Sequence, residues 1–231
     1  MNFRAGEPRW FMGVVKAAVK TKGEIWTAAP FVPSNPTLRK LKIAAAGCTG
    51  CPLWRTGTQT VFGEGRPEAK VLFVGEQPGN DEDLQGKPFV GPAGKLLNKC
   101  LEEAGIDREQ VYVTNAVKHF KWEPSGKRRL HKKPNSREIA ACRPWLDAEI
   151  EVLKPSVIVA LGATAAQTLL GKDFRVTQHR GELIPSPLAQ HVIATVHPSS
   201  LLRAPDEETR RTETARFVDD LRLVAQVVGK L

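Results

Sequence analysis

Two cysteines in Cys48-Thr49-Gly50-Cys51 have the spacing that holds a metal or cycles between thiol and disulfide. A second stretch is less ordinary. Gly126-Lys-Arg-Arg-Leu-His-Lys-Lys-Pro134 surrounds one imidazole, His131, with five cationic side chains. Cations at that density attract phosphate. They also disfavour the imidazolium, so they are expected to push the pKa of His131 down. Three further segments place polar or ionisable side chains directly after short apolar runs. These are Gly75-Glu76-Gln77-Pro78-Gly79, Thr114-Asn115 and His197-Pro198-Ser199. Carboxylate, amide and imidazole groups in such positions can hydrogen-bond a ligand and do chemistry on it.

Those side chains need elements to position them. Val71–Val74, Val111–Val113, Val157–Leu161 and His191–Val196 are nearly continuous in apolar residues, as parallel strands buried on both faces are. Helical spacing lies between them. Ala93, Leu96, Leu97, Cys100, Leu101 and Ala104 share a face, and Gly105 stops that helix. Asn135 and Glu138 form a capping-box pattern that opens a helix to about Leu153. Further helices are expected over about 163–170 and 205–228. The alternation predicts an α/β three-layer sandwich, with a central four-stranded parallel sheet flanked by helices. In such sheets the ligand sits beyond the carboxyl ends of the strands, where the three polar segments fall. Residues 1–36 read as an N-terminal extension, with a short helix over 10–20 and a linker marked by Pro30, Pro33 and Pro36. The compact domain is expected over 37–231.

The chain of 231 residues suits one such domain plus an extension, and no internal repeat is apparent. No run reaches the roughly 18 apolar residues of a membrane span. The protein reads as cytoplasmic, with its four cysteines outside disulfides. Its net charge is +9, and the segment Lys118–Arg143, with nine Lys/Arg against two Asp/Glu, holds +7 of it. That local field suits a polyanion such as a nucleic-acid backbone.

From about Thr37 to Val228 the motifs, in their order and strand context, resemble the uracil-DNA glycosylase superfamily. VGEQPGNDEDLQGKPFVGPAGKLL looks like the first active-site motif of its iron–sulfur, family-four-like branch, and VTNAVK and VHPSSLLR look like the next two landmarks. GEQPG together with Lys127-Arg128-Arg129-Leu130-His131 is similar to the UdgX group, whose members become covalently joined to DNA after removing uracil. That group carries isoleucine where this chain has Leu130.

The resemblance implies a four-iron, four-sulfur (4Fe-4S) cluster on Cys48, Cys51, Cys142 and His119, which stands where the branch normally has cysteine. Cys100 is the rival fourth ligand, although its register puts it on an apolar helix face, and zinc on the same Cys₃His set is the alternative metal. Phe89 is implied to stack on the base and Asn115 to read its edge, with Gln77 in the same pocket. Glu76 is implied to stabilise the sugar cation or orient a nucleophile. His197 is implied to hydrogen-bond the departing uracil, and His131 to attack the anomeric carbon. Lys127, Arg128, Arg129, Lys132 and Ser199 are implied to grip DNA, with Ser200 and Arg203 beside them. The expected activity is excision of uracil followed by a covalent His131–sugar adduct, made once per molecule. A conventional multiple-turnover glycosylase and a non-catalytic binder of uracil or abasic DNA are the alternatives. The expected partners are uracil-containing DNA and free uracil as product, with the protein a monomer away from membranes.

Overall fold

The computed structural model describes residues 25–229. In chain order the main elements are α1 (Leu38–Ala45), β1 (Val71–Gly75), α2 (Asn80–Gln85), α3 (Pro92–Glu103), β2 (Val111–Asn115), β3 (Trp122–Ser125) and β4 (Arg128–His131). There follow α4 (Ser136–Leu153), β5 (Val157–Leu161), α5 (Ala163–Leu170), α6 (Val176–His179), β6 (Leu183–Ser186), β7 (Ala189–Thr195), α7 (Pro198–Leu201) and α8 (Glu207–Val228). The predicted helix over 10–20 lies outside the described residues.

The four expected strands pair in parallel within one sheet of order β2-β1-β5-β7-β6. Every residue of β1, β2 and β5 is buried, because helices cover both faces. Alternate side chains divide the core. Val71, Phe73, Val159 and Ile193 pack with α3 and α8, through Leu97, Leu101, Phe217 and Leu221. Leu72, Val74, Ile158 and Val192 pack on the other side with α4 and α5, through Leu146, Ile150, Ala165 and Leu169.

Two parts of the sheet structure depart from expectation. The sheet has a fifth strand, β6, antiparallel to β7. Leu183-Ile-Pro-Ser186 is short, half-exposed and interrupted by proline, which an edge strand tolerates and a central one does not. The basic stretch is a β-hairpin rather than an irregular loop. β3 and β4 pair antiparallel across the two-residue turn Gly126-Lys127, where Gly126 takes φ +58°. Strand alternation sends Arg129 and His131 to one face and Arg128 and Leu130 to the other.

A third core lies beside α1 and α4. Leu41, Leu53, Phe62, Val117 and Trp145 surround Cys48, Cys51 and Cys142 there. Residues 26–32, within the stretch read as an extension, pack onto this core. Ala28 is buried and its N–H donates to Ala141 O at 2.7 Å, while Arg137 stacks over the Trp26 ring at 3.9 Å. Among the described residues, no helix is long and apolar enough to cross a membrane.

Candidate active site

The strand order runs from β1 to β2 on one side and from β1 to β5 on the other, which opens a crevice at the carboxyl ends of β1 and β5. Glu76 follows β1 into that crevice. One carboxylate oxygen, Oε2, accepts from the Thr164 hydroxyl at the start of α5. The other, Oε1, lies 3.8 Å from His131 Nε2 at the end of β4.

Gln77 clamps the hairpin against this point. Its Oε1 accepts from Lys121 N at 3.1 Å, and its Nε2 faces Lys121 O at 3.2 Å and Lys132 O at 3.1 Å. Those carbonyls fix which end of the amide is the donor. The same Nε2 lies 2.9 Å from His131 Nε2, a third neighbour for an amide nitrogen with two protons. Gln77, expected in the base pocket, instead has its amide engaged by the hairpin.

The pKa of His131 is lowered, as expected, but for a different reason. Burial is the main cause, Glu76 opposes it, and the cation that adds to it is Arg203. The hairpin cations do other work. Arg129 donates to Asp83 Oδ2 at 2.5 Å, Asn80 Oδ1 at 2.9 Å and Thr58 Oγ1 at 3.1 Å, and it stacks over Phe120 and Trp122. It braces the hairpin against Asn80 and Asp83 of α2. Lys132 pairs with Glu123 at 2.9 Å. Lys127 and Arg128 remain exposed at the hairpin tip, their side chains without a hydrogen-bond partner among the described residues.

Asn115, Phe89 and His197 meet at the sheet's carboxyl end. Asn115 ends β2 opposite Gly75 of β1 and is buried, yet its side-chain amide makes no hydrogen bond among the described residues. A Cβ on Gly75 would lie 2.3 Å from Asn115 Oδ1 and 2.8 Å from Phe89 Cζ, so the bare glycine lets amide and ring close on one space. Phe89 sits at φ +56°, costly for a side chain of its size. Its loop is held down on α3, where a Cβ on Gly94 would overlap the Phe89 carbonyl. Glu82 ties the two ends of that loop, accepting from Gly79 N at 3.0 Å and Gly91 N at 2.7 Å. The His197 ring stacks near Phe89, with centroids 6.2 Å apart. Its Nδ1 accepts from Ser199 N at 3.1 Å, with Ser199 Oγ at 2.8 Å, so the neutral ring carries its proton on Nε2. Burial, then Arg203 and His131, lowers the His197 pKa to about 4. Ser199, expected on DNA, therefore sets the tautomer of His197.

Beneath Asn115 lies a charged network that sequence reasoning missed. Lys118, fully buried, donates to Glu149 at 2.5 Å, Thr114 Oγ1 at 2.6 Å and the Asn115 carbonyl at 2.7 Å. Glu149 also accepts from Tyr112 and Thr114, each at 3.0 Å. Asp83 was missed too. It is fully buried, and besides Arg129 it accepts from Thr58 N at 2.9 Å. No local pattern joins residues 83 and 129.

Cys48, Cys51 and Cys142 share the third core, and the backbone N–H of Lys118, the residue before His119, reaches Cys142. Lys118 N donates to Cys142 Sγ and Trp145 Nε1 to Cys48 Sγ, both at 3.3 Å. N–H groups aimed at sulfur suit thiolate ligands of a cluster. Burial pushes the Cys142 thiol up to about 12 and raises Cys51, so neither ionises unaided. His119 is lowered to about 4 by burial, and its Nε2 lies 2.9 Å from Thr60 Oγ1. Cys100 packs in the α3/α8 core on the other face of the sheet. Among the described residues no group of three or more His, Cys, Asp or Glu side chains is already arranged around one point. The three buried cysteines and the two N–H···S bonds suit thiolate ligands of a cluster, while the His119 ring neighbours Thr60 and Asp83.

The family model described as the uracil DNA glycosylase superfamily matches residues 62–222. A type-4 uracil-DNA glycosylase of Thermotoga maritima is 47% identical over 165 residues, which is 71% of this chain and 82% of that protein. One from Sulfurisphaera tokodaii is 38% identical over 178 residues, 74% of this chain and 78% of its own. A type-5 uracil-DNA glycosylase of Thermus thermophilus is 30% identical over 200 residues, covering 78% and 82% respectively. With similarity of that extent running through both the sheet and the strand-end residues, the chain belongs to the uracil-DNA glycosylase superfamily.

Proposed function

We propose that this protein excises uracil from DNA and that His131 then captures the sugar. The observation that carries the reading is the position of His131 Nε2, 3.8 Å from Glu76 Oε1 and 2.9 Å from the Gln77 amide at the sheet's carboxyl end.

The target nucleotide leaves the stack to enter the pocket. The Phe89 ring covers one face of the base, and the unpaired Asn115 amide donates to and accepts from its edge. The bond between C1' and the base nitrogen breaks, and its electron pair leaves with uracil. His197 Nε2–H donates to the uracil oxygen as charge gathers there. The Glu76 carboxylate faces the positive sugar. The lone pair of His131 Nε2 then forms the new bond to C1'. The alkylated ring is cationic until Nδ1 gives its proton to solvent, which leaves a neutral, poorly leaving imidazole and a spent enzyme. Lys127 and Arg128 at the tip and Arg203 beside the site are placed to meet phosphates.

We also assign a four-iron, four-sulfur cluster to Cys48, Cys51, His119 and Cys142. It supplies a rigid cross-link between three segments, and no step of the reaction passes through it. The buried donor set and the two N–H···S bonds support it.

The names of the relatives favour a second reading, a type-4 enzyme in which water takes the place of His131 and the protein turns over. One denaturing gel of protein with a uracil-containing oligonucleotide decides. A band that survives detergent and heat, and is lost in His131→Gly, supports capture. Abasic DNA released over many turnovers supports the ordinary glycosylase. An unchanged oligonucleotide leaves a non-catalytic binder. An undiminished adduct in His131→Gly would refute the assignment of His131.

A further inference from the structure

We infer that Thr164 is a positioning residue for uracil excision, acting through the carboxylate of Glu76. The inference rests on the excision reading above. Thr164 is buried in the first turn of α5, and its hydroxyl donates to Glu76 Oε2. The terminal torsion of a glutamate is broad and soft. Holding one oxygen therefore aims the other, and here the free Oε1 faces the space beside His131 Nε2.

The threonine is itself firmly placed. Thr168 Oγ1 donates to the Thr164 carbonyl at 2.7 Å, and the Arg143 guanidinium donates to the Thr168 carbonyl. Two residues earlier, Gly162 takes φ +87°, and a Cβ there would come within 3.0 Å of His197 Cβ. One turn of chain, residues 162–164, thus abuts both groups that meet the developing charges. The Glu76 side chain is 22% exposed, so a carboxylate without its threonine donor can rotate into solvent. The ground-state fold loses little by that rotation; the transition state loses a fixed negative charge.

Valine keeps the shape of threonine and removes the donor, whereas serine keeps the donor. The test measures single-turnover uracil release and, separately, binding to an oligonucleotide carrying uncleavable 2'-fluoro-deoxyuridine. Thr164→Val is expected to slow release about tenfold or more, with binding within about twofold, and Thr164→Ser to restore release to within about threefold. In a Glu76→Gln background, Thr164→Val is expected to add no further loss. If Thr164→Val lowers the melting temperature, Thr164→Ala against Thr164→Ser gives the same comparison. Release by Thr164→Val within about twofold of wild type, or a full additive loss in the Glu76→Gln background, overturns this inference alone. No uracil release by the wild-type protein overturns both it and the excision reading.

Discussion

Arg129 Nη1 lies 2.5 Å from Asp83 Oδ2, and that ion pair pins the hairpin carrying His131 to the fully buried carboxylate of α2. Removing one partner strands the other charge. Asp83→Asn is expected to cost about 3 kcal/mol in urea denaturation. Capture, read on the denaturing gel, should fall further than uracil release, because Asn115 and His197 stand at strand ends and Phe89 is held on α3, none of them by the hairpin. Equal losses of both would mean that the hairpin does not position His131 separately.

The pH dependence of capture should follow His131 and Arg203. Since the folded pKa of His131 is lowered, its ring stays neutral below the ordinary histidine range, and capture fails only as pH drops through the lowered value. Arg203→Gln removes a cation that depresses it, so the acid limb should move to higher pH. Lys127→Gln and Arg128→Gln should leave the limb in place and instead flatten the salt dependence of DNA binding, by a slope of about 0.9 for each phosphate no longer neutralised.

His197 should act as a neutral donor throughout the neutral range. Its pKa of about 4 keeps it from contributing a limb to uracil release above about pH 5. His197→Asn is expected to lower release by about 10²–10³-fold. The sign for stability follows from the same value. The unfolded ring binds a proton more readily than the folded one, so this contribution is complete above the ordinary histidine pKa and is lost as pH falls from there towards 4. The acid-side slope of urea stability should shrink in His197→Asn.

The proposed cluster ligands can be told apart by substitution. Cys142→Ser and His119→Ala are expected to reduce the brown absorption near 400 nm (roughly, the iron–sulfur range) and the iron content, and Cys100→Ser to leave both intact. Loss of iron in Cys100→Ser with none in His119→Ala would exchange the two assignments.

The strands and long helices are legible in the sequence because their signals are local. Apolar runs mark β1, β2, β5 and β7, and Asn135 with Glu138 marks the start of α4. Strand ends then point to Glu76, Asn115 and His197. What stays hidden depends on pairs distant in sequence. Arg129 reads as a phosphate ligand because nothing near it announces Asp83, and Lys118 reads as one more surface cation because Glu149 lies a helix away. Gln77 reads as a base ligand because its neighbours do; only the folded hairpin brings Lys121 and Lys132 to its amide. The lowered pKa of His131 is expected correctly but from the wrong source: Arg129, on the same face, is neutralised by Asp83, Lys132 pairs with Glu123, and Lys127 and Arg128 lie at the tip.

The approach of residue 27 to the C-x-x-C loop sets a boundary that the family match does not. A Cβ on Gly50 would come within 2.5 Å of the Thr27 carbonyl, so backbone lies on backbone between the two cysteines. The matched region begins at residue 62, well downstream of that lid. A version of the protein beginning at Thr37 would keep the Cys48–Cys51 loop but uncover it, and the air lifetime of the proposed cluster, compared with that in the full chain, would measure what the backbone around Thr27 contributes.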